Sequence, residues 1–403
     1  MAKPAGRVLD FTHTSPQRAF KLIELPPELA EVVCSGKSGS SLSLKAEASR
    51  SSTSSDTYVN LCTTTQTYMI RQVQSSNSIY LIQPSPSPSS PPTIQPQQQA
   101  IEDTPNCVTT ISKCNAILEL VKMDSNSYSA FPYLQRVLRV YSGSHAEEDG
   151  DVDMSGGDSG GVGLSTTTTT TTIATTAITQ RERRIAMKKL FAGVPLSAAE
   201  CERGWVEICG FVHFERNFVV VGGGGGCRLT CWRPSAVMRI QAWKRVLDGA
   251  VLQGIDIGKH FLVRDLWRAT RDEEDDNESG NAGFPMSLFD ALIRRLMRDP
   301  ASVGLGEVYE ELKWASFDKG TTVSWVGEAY LEANAPDPTM AIGRAEFLQS
   351  WKDLLPEPWR CEATWDNLRG KSRKQGYSPG TQAAYMKREI SDHPDHIRNS
   401  VGD

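Results

Sequence analysis

Five consecutive glycines, 222–226, follow an apolar run, which is where a phosphate-binding loop would lie. Loops of that kind hold phosphate on backbone N–H groups, and a Lys followed by Ser or Thr completes them. Here Cys227, Arg228 and Leu229 follow the glycines instead. We therefore predict a loop tip at this position and no nucleotide-binding site.

Side chains suited to acid–base or nucleophilic catalysis form no catalytic pattern. None of the six histidines stands in a motif with Ser or Cys, and two of them lie in the polar stretch 393–396. The carboxylates of 272–276 lack the apolar surroundings that would raise their pKa values. We expect a protein that is not an enzyme and that needs no cofactor.

The nine cysteines could bind a metal ion only if they were suitably spaced. Zinc sites usually contain C-x-x-C pairs, and this sequence has none. Cys227 and Cys231 come nearest to a pair. We predict no metal site, and reduced thiols that pack as small apolar side chains.

One group of charged residues has a chemical use. Residues 181–270 contain 15 Lys and Arg against 8 Asp and Glu, although the whole chain has a net charge of −5. Cations on the first helices of this segment would contact phosphates and give a salt-dependent affinity for DNA of any sequence. A solvated helix face or a protein-binding surface is an equal alternative. The candidate residues are Arg181, Arg183, Arg184, Lys188, Lys189 and Arg203.

The block before residue 142 is predicted to be rich in short strands, and its opening strand ends at two prolines. Pro26 and Pro27 end a strand at 20–25, because proline cannot donate to a ladder, and Pro27 suits the first turn of a helix. β-Branched and aromatic residues predict the other strands, and continuously apolar strands predict a sheet buried on both faces. These strands are 42–46, 57–62, 67–73 and 78–83, and two helices are predicted at 115–122 and 132–141.

The block from residue 181 predicts helices and a hairpin. A basic amphipathic helix covers 183–191, and a capping box from Ser197 to Glu200 begins the next helix. A hairpin turning at Arg216 and Asn217 would complete the element order of a winged helix. Further elements are helices at 235–247, 260–267, 287–297, 321–331, 345–355 and 364–369, and a strand at 307–313.

The predicted fold class is α+β, with an N-terminal β-barrel-like domain followed by tandem winged-helix domains. Biased composition predicts disorder in 83–106, 142–180 and 271–283. The predicted divisions are 1–141 for the β-rich partner-assembly domain, 142–180 for a linker, 181–256 and 257–340 for two winged-helix units, 341–370 for a partial third unit, and 371–403 for a polar tail.

Several segments carry a resemblance to a known family. They are FKLIELPPELAEVV at 20–33, VNLCT at 59–63, TYMIRQVQSSNSIYLI at 67–82, LFAGVPLSAAE at 190–200, VYEEL at 308–312 and FLQSWKDLLPE at 347–357. In this order they resemble the "defective in sister chromatid cohesion" family. The resemblance covers 20–82, 107–141 and 183–370. Because the tail 371–403 lacks the strand-rich wing with which that family continues, the resemblance implies that the last winged-helix domain is truncated.

The resemblance implies a non-catalytic, nuclear subunit of a replication-factor-C-like clamp loader that loads and unloads PCNA in DNA replication and sister chromatid cohesion. In that family the β-rich block assembles with the small partner subunit and the tail of the large one. The winged-helix units contact DNA and polymerase epsilon, which makes the basic residues above candidates for either contact. The partner-assembly candidates are Tyr58, Leu61, Tyr68, Ile70, Ile79 and Leu81.

A stand-alone winged-helix DNA-binding regulator is the alternative function. The basic segment supports it, but a recognition helix rich in Arg and Asn, able to read base edges, is missing. The sequence has no apolar run of about 18 residues that would span a bilayer, and MAKPAGRVLD lacks the layout of a signal peptide. We expect an intracellular protein that does not bind membranes.

Overall fold

The computed structural model of the chain describes residues 10–13, 18–35, 41–46, 59–85, 107–123, 129–143, 178–219, 225–271, 284–336, 340 and 342–368. They form a mixed α+β fold in which a curled, half-barrel sheet packs against a larger helical body. The segments predicted to be disordered, and the tail 371–403, lie outside these ranges except for a few residues at their ends.

The strands are β1 (Asp10–His13), β2 (Leu22–Glu24), β3 (Ser43–Ala46), β4 (Val59–Cys62), β5 (Thr67–Ser85), β6 (Cys107–Lys122), β7 (Arg139–Tyr141), β8 (Phe211–Val219), β9 (Gly225–Pro234), β10 (Phe261–Leu262) and β11 (Trp314–Ala315). The helices are α1 (Pro27–Cys34), α2 (Phe131–Val137), α3 (Gln180–Ala192), α4 (Ala198–Glu207), α5 (Ala236–Leu252), α6 (Val263–Ala269), α7 (Met286–Met297), α8 (Lys319–Asn334) and α9 (Arg344–Asp353). Short 3-10 turns occupy Pro300–Ser302, Glu307–Tyr309 and Glu357–Glu362.

The N-terminal sheet is built on the long antiparallel pair β5 and β6. Its strand order is β1-β6-β5-β4-β3, and β2 joins the far end of β6 in parallel. Two irregularities interrupt the β5–β6 register, between Gln74 and Ile79 and between Leu81 and Ile82. Bulges increase the local twist of a strand pair, which fits the curl of this sheet. The two predicted strands at 67–73 and 78–83 are therefore parts of one strand.

The predicted helix at 115–122 is wrong, because these residues form the second half of β6. Periodicity alone does not distinguish a short apolar run in a helix from one in a strand that is buried on both faces. Here β5 pairs on one side of this stretch and β2 on the other, and these long-range ladders decide the conformation. The predicted helix at 132–141 is half right, since α2 ends at Val137 and the chain continues as β7.

Where β4 pairs with β5, side chains on both faces of the sheet are buried, but the continuously apolar stretch 79–82, on which that prediction rested, leaves Tyr80 and Ile82 exposed. Leu61 and Tyr68 pack on one face against Leu29 of α1. On the opposite face, Met69 and Met123 pack against the helical body. The strand, proline corner and helix predicted at the start of the sequence are confirmed as β2 and α1, and α1 is the layer that covers this face.

The helical body contains two apolar clusters. The first joins α2, α3, α4, β8 and β9 around Trp205, and the second joins α5 to α9 around Trp243 and Trp351. These tryptophans pack as predicted, and two of them donate ring N–H groups, Trp243 to the Leu354 carbonyl (2.7 Å) and Trp351 to that of Val323 (3.0 Å). The second cluster runs across the predicted boundary at 256/257, and the division into winged-helix units stays a prediction.

The turn predicted at Arg216 and Asn217 is wrong, because both residues lie within β8, and the hairpin is formed by β8 and β9 instead. The two strands flank the glycine run, and Gly225 and Gly226 already pair with Val219 and Phe218. The predicted strand at 307–313 is instead a 3-10 turn, and only Trp314 and Ala315 beyond it form a strand.

Among the described residues, no helix combines the length and apolar character needed to span a membrane.

Candidate functional site

Helix α3 presents cations on its solvent side. A capping box fixes its start, in which Thr179 accepts from the Glu182 N–H and the Glu182 carboxylate accepts from the Thr179 N–H. The Thr179 hydroxyl also donates to this carboxylate (2.7 Å), and that hydrogen bond, together with the one from the Thr179 N–H, lowers the pKa of Glu182. The inner side buries Met187, Leu190 and Phe191. The outer side exposes Arg181, Lys188 and Lys189.

Three of the predicted contact residues make contacts within the chain, although Arg184 itself is exposed. Arg183 has a side chain only 17% exposed and lies 4.0 Å from the Asp290 carboxylate on α7. Burial lowers the pKa of Arg183 and raises that of Asp290. The Arg184 guanidinium lies 5.0 Å from the centre of the Tyr309 ring, and Arg203 donates to the Ala199 carbonyl (3.3 Å). The exposed cations of α3 are therefore the stronger candidates for contacts with an external anion.

A segment before β11 ties α4 to α7. The Gly306 N–H donates to the Glu202 carboxylate on α4 (2.6 Å), and Gly306 has φ +88°, a conformation that favours glycine. Arg294 of α7 donates to the carbonyls of Glu307 (2.9 Å) and Glu310. Burial lowers the pKa of Arg294 to about 10 and raises the pKa of Glu202. These contacts fix α3, α4 and α7 relative to one another.

The sheet is attached to the helical body by buried polar contacts, which we call the polar lock, formed by Lys45, Asn60, Thr67, Ser197 and Glu200. Lys45 donates to two carbonyls at and beyond the C-terminal end of α3, those of Phe191 (2.9 Å) and Leu196 (2.8 Å). Asn60 donates to the Pro195 carbonyl (2.8 Å).

Glu200 is the centre of the polar lock. Its carboxylate accepts from the Ser197 N–H (2.9 Å), the Ser197 hydroxyl (2.6 Å) and the Thr67 hydroxyl of β5. The capping box predicted at this helix start is confirmed, and it also binds the sheet, which sequence reasoning missed. The polar lock thus holds the sheet and the helical body in one orientation.

The predicted partner-assembly residues lie mainly inside the chain. Leu61 and Tyr68 are buried against α1, and Ile70 packs beside them. Ile79 and Leu81 are half-buried, and Tyr58 lies outside the described residues. As single residues, the buried pair stabilises the sheet of this chain, and its predicted role in an interface stays a prediction.

An exposed group of aromatic and aliphatic side chains lies on the half of the β5–β6 pair farther from β4, on what we call the aromatic face, made of Phe11, His13, Tyr80 and Ile82. Phe11, Tyr80 and Ile82 are 52%, 41% and 52% exposed. The rings pack edge to face, with centroids 5.1 Å apart for Phe11 and His13 and 6.3 Å apart for Phe11 and Tyr80. The continuous apolar run at 79–82 predicted a strand buried on both faces; the strand is confirmed, but one of its faces is uncovered in the single chain.

A comparison with protein families decides the identity. The model of the sister chromatid cohesion protein Dcc1 family matches residues 20–390. The chain belongs to the Dcc1 family. This membership implies a role in sister chromatid cohesion. A comparison with curated proteins found no match.

The Dcc1 match spans both parts of the molecule. It includes β2, α1 and the polar lock, together with the exposed cations of α3, and it continues beyond residue 370, where the resemblance seen in the sequence ended. Strand β1, with Phe11 and His13, precedes it. The aromatic face therefore combines two residues within the Dcc1 match, Tyr80 and Ile82, with two outside it.

Proposed function

We propose that this Dcc1-family chain is a non-catalytic, nuclear subunit of a replication-factor-C-like clamp loader that acts on PCNA and thereby supports sister chromatid cohesion. The observation that carries the proposal is the half-barrel sheet, whose aromatic face is uncovered in the single chain. The chain would act as a scaffold, with the sheet for assembly and the helical body for contacts with DNA and polymerase epsilon.

The uncovered sheet supports assembly with partner chains for two physical reasons. Adjacent exposed aromatic and aliphatic side chains mark interaction surfaces, because burying them against a partner removes apolar area from water. Strand β3 lies at the edge of the sheet and carries Leu44, which is 63% exposed. Edges of this kind accept strands from other chains. Strands from the large and small clamp-loader subunits would complete the barrel.

The helical body supports the DNA contact through the exposed cations of α3. The order α3, α4, β8, β9 follows that of a winged-helix unit, and we propose that tandem units of this type, with a partial third, make up 181–370. Arg181, Lys188 and Lys189 would contact phosphates without reading bases.

Replacing Arg181, Lys188 and Lys189 together with Ala is expected to weaken DNA binding about equally for all sequences. The slope of log affinity against log salt should fall by about two to three, because each cation releases roughly one counterion. Titration of labelled duplexes at several salt concentrations measures both effects. The control is a second triple variant in which three lysines on other helices, Lys244, Lys319 and Lys352, are changed to Ala. If the two triple variants have equal effects on DNA binding, the cations of α3 do not contact DNA specifically, and a protein-binding surface becomes the better interpretation.

Co-expression of the full chain with the large and small clamp-loader subunits tests the proposed assembly. A stoichiometric complex in size-exclusion chromatography is the expected result. Migration of this chain alone, with the other subunits assembled without it, would refute the assignment.

A further inference from the structure

The turn that joins α3 to α4, residues 193–197, lies against the sheet, and all but its first residue are buried. Buried backbone carbonyls need hydrogen-bond donors, because leaving one unpaired costs free energy. Two side chains of the polar lock are such donors. Asn60 donates to the Pro195 carbonyl (2.8 Å), and Lys45 donates to that of Leu196 (2.8 Å). The sheet therefore holds this turn in addition to the hydrogen bonds of its own backbone.

Lys45 also closes the C-terminal end of α3. Its ammonium group donates to the Phe191 carbonyl (2.9 Å), in the last turn of the helix, which ends at Ala192. The last carbonyls of a helix have no helical partner and form the negative end of its dipole, so a cation placed there is stabilising. Lys45 of β3 is thus a helix cap that another part of the chain supplies.

Strand β3, which carries Lys45, is an edge of the described sheet. It pairs with β4, with Lys45 opposite Asn60, and no other described strand pairs with it. Successive side chains of a strand point to opposite faces, so Leu44, which is 63% exposed, lies on the face opposite to Lys45. The N–H and C=O groups on the outer side of an edge strand can pair with a strand of another chain.

Two sets of interactions share the cost of ordering β3. An edge strand is paired on one side only, and such elements open at a smaller cost in free energy than the centre of a sheet. The contacts of Lys45 with the helical body and the pairing of a partner strand both require β3 to be in place. Whichever forms first bears the loss of conformational freedom, and the other then forms more readily. The two are therefore coupled, and the coupling acts equally in both directions.

We propose that Lys45 is a positioning residue that couples the occupancy of the β3 edge to the order of the turn between α3 and α4. A strand added to β3 holds Lys45 against the carbonyls of Phe191 and Leu196, which tightens the turn and the end of α3. In the opposite direction, Lys45 holds β3 ready for the incoming strand, although its own side chain points toward the helical body. The inference rests on the proposed assembly with clamp-loader subunits and adds a route by which that assembly stiffens the helical body.

Hydrogen–deuterium exchange of the full chain, alone and co-purified with the large and small clamp-loader subunits, tests this inference. In the wild-type chain, the amides of residues 193–200 are expected to exchange about tenfold more slowly in the complex, a coupling of usual size. Lys45→Met keeps the length of the side chain but removes the ammonium donors, so the slowing should fall below about twofold. Lys45→Arg keeps a cation with N–H donors and should restore most of the slowing.

The strength of assembly is a second readout. Lys45→Met is expected to raise the dissociation constant for the other subunits about tenfold, because coupling is reciprocal. The control is Lys122→Met, which removes an exposed lysine of β6 in the same sheet. It should change neither the exchange rates of the turn nor the assembly. Equal exchange rates of the α8 amides in all variants show that the variants are folded.

The outcomes separate the coupling from the proposed function. A wild-type complex in which the turn exchanges as fast as in the free chain overturns the coupling and leaves the assembly in place. The same conclusion follows if Lys45→Met speeds exchange of the turn equally in the free chain and in the complex, because Lys45 would then only support the fold. Wild-type chain that forms no complex with the other subunits overturns both.

Discussion

Replacing Glu200 with Ala is expected to lower the free energy of unfolding by about 2–5 kcal/mol, because the buried hydroxyl of Thr67 and two donors of Ser197 lose their shared acceptor. The variant also loses half of a helix cap, which by itself costs about 1 kcal/mol. Thr67 lies on β5, so the substitution weakens the attachment of the sheet to the helical body as well as the start of α4. Urea unfolding of the full chain, followed by far-ultraviolet circular dichroism, measures the change.

The chain contains a matched control for Glu200. Glu182 occupies the same position in the capping box of α3, but its contacts with Thr179 are exposed and local. Glu182→Ala should therefore cost about 1 kcal/mol or less. Equal losses for the two variants would mean that Glu200 acts only as a helix cap and that the polar lock does not hold the sheet.

Changing Phe11, Tyr80 and Ile82 together to Ser is expected to abolish incorporation into the clamp-loader complex. Each of these side chains would lose about 1.5–3 kcal/mol of burial against a partner, so the affinity should fall by more than about a hundredfold. The residues are exposed in the single chain, and the free energy of unfolding should change little. Co-expression followed by size-exclusion chromatography measures the loss of complex.

Three exposed apolar residues of α5 provide the control for the aromatic face. Val237, Val251 and Leu252 are at least as exposed but lie on the helical body. Their joint replacement with Ser should leave the complex intact. If the α5 variant and the aromatic-face variant lose the complex equally, the effect comes from general destabilisation and the sheet has no special role in assembly.

Local chemistry predicted the elements whose ends carry their own signals. Pro27 marks the start of α1, and the capping box at Ser197 and Glu200 marks the start of α4. Both signals depend only on residues a few positions away in the chain, so a single sequence is enough to predict where these helices begin. The stretch 115–122 has no such local signal, and its strand conformation depends on pairing with residues far away in the chain.

The functional surfaces were harder to predict than the elements. The type and helical position of Arg183 suggested a phosphate contact. The Arg183 side chain is instead largely buried and lies beside Asp290, on a helix distant in sequence. The family resemblance indicated Leu61 and Tyr68 as partner-assembly residues, but α1 of the same chain covers them. In each case tertiary contacts determine which side chains are exposed, and these contacts cannot be read from the spacing of residues along the chain.

Purification of the full-length chain from replicating cells, with mass-spectrometric identification of the proteins that accompany it, tests the central claim most directly. We expect the large and small clamp-loader subunits in amounts equal to this chain, with polymerase epsilon and PCNA in smaller amounts. The same purification with the aromatic-face variant should recover the chain without those subunits. Recovery of the wild-type chain without any clamp-loader subunit would contradict its assignment as a component of that complex.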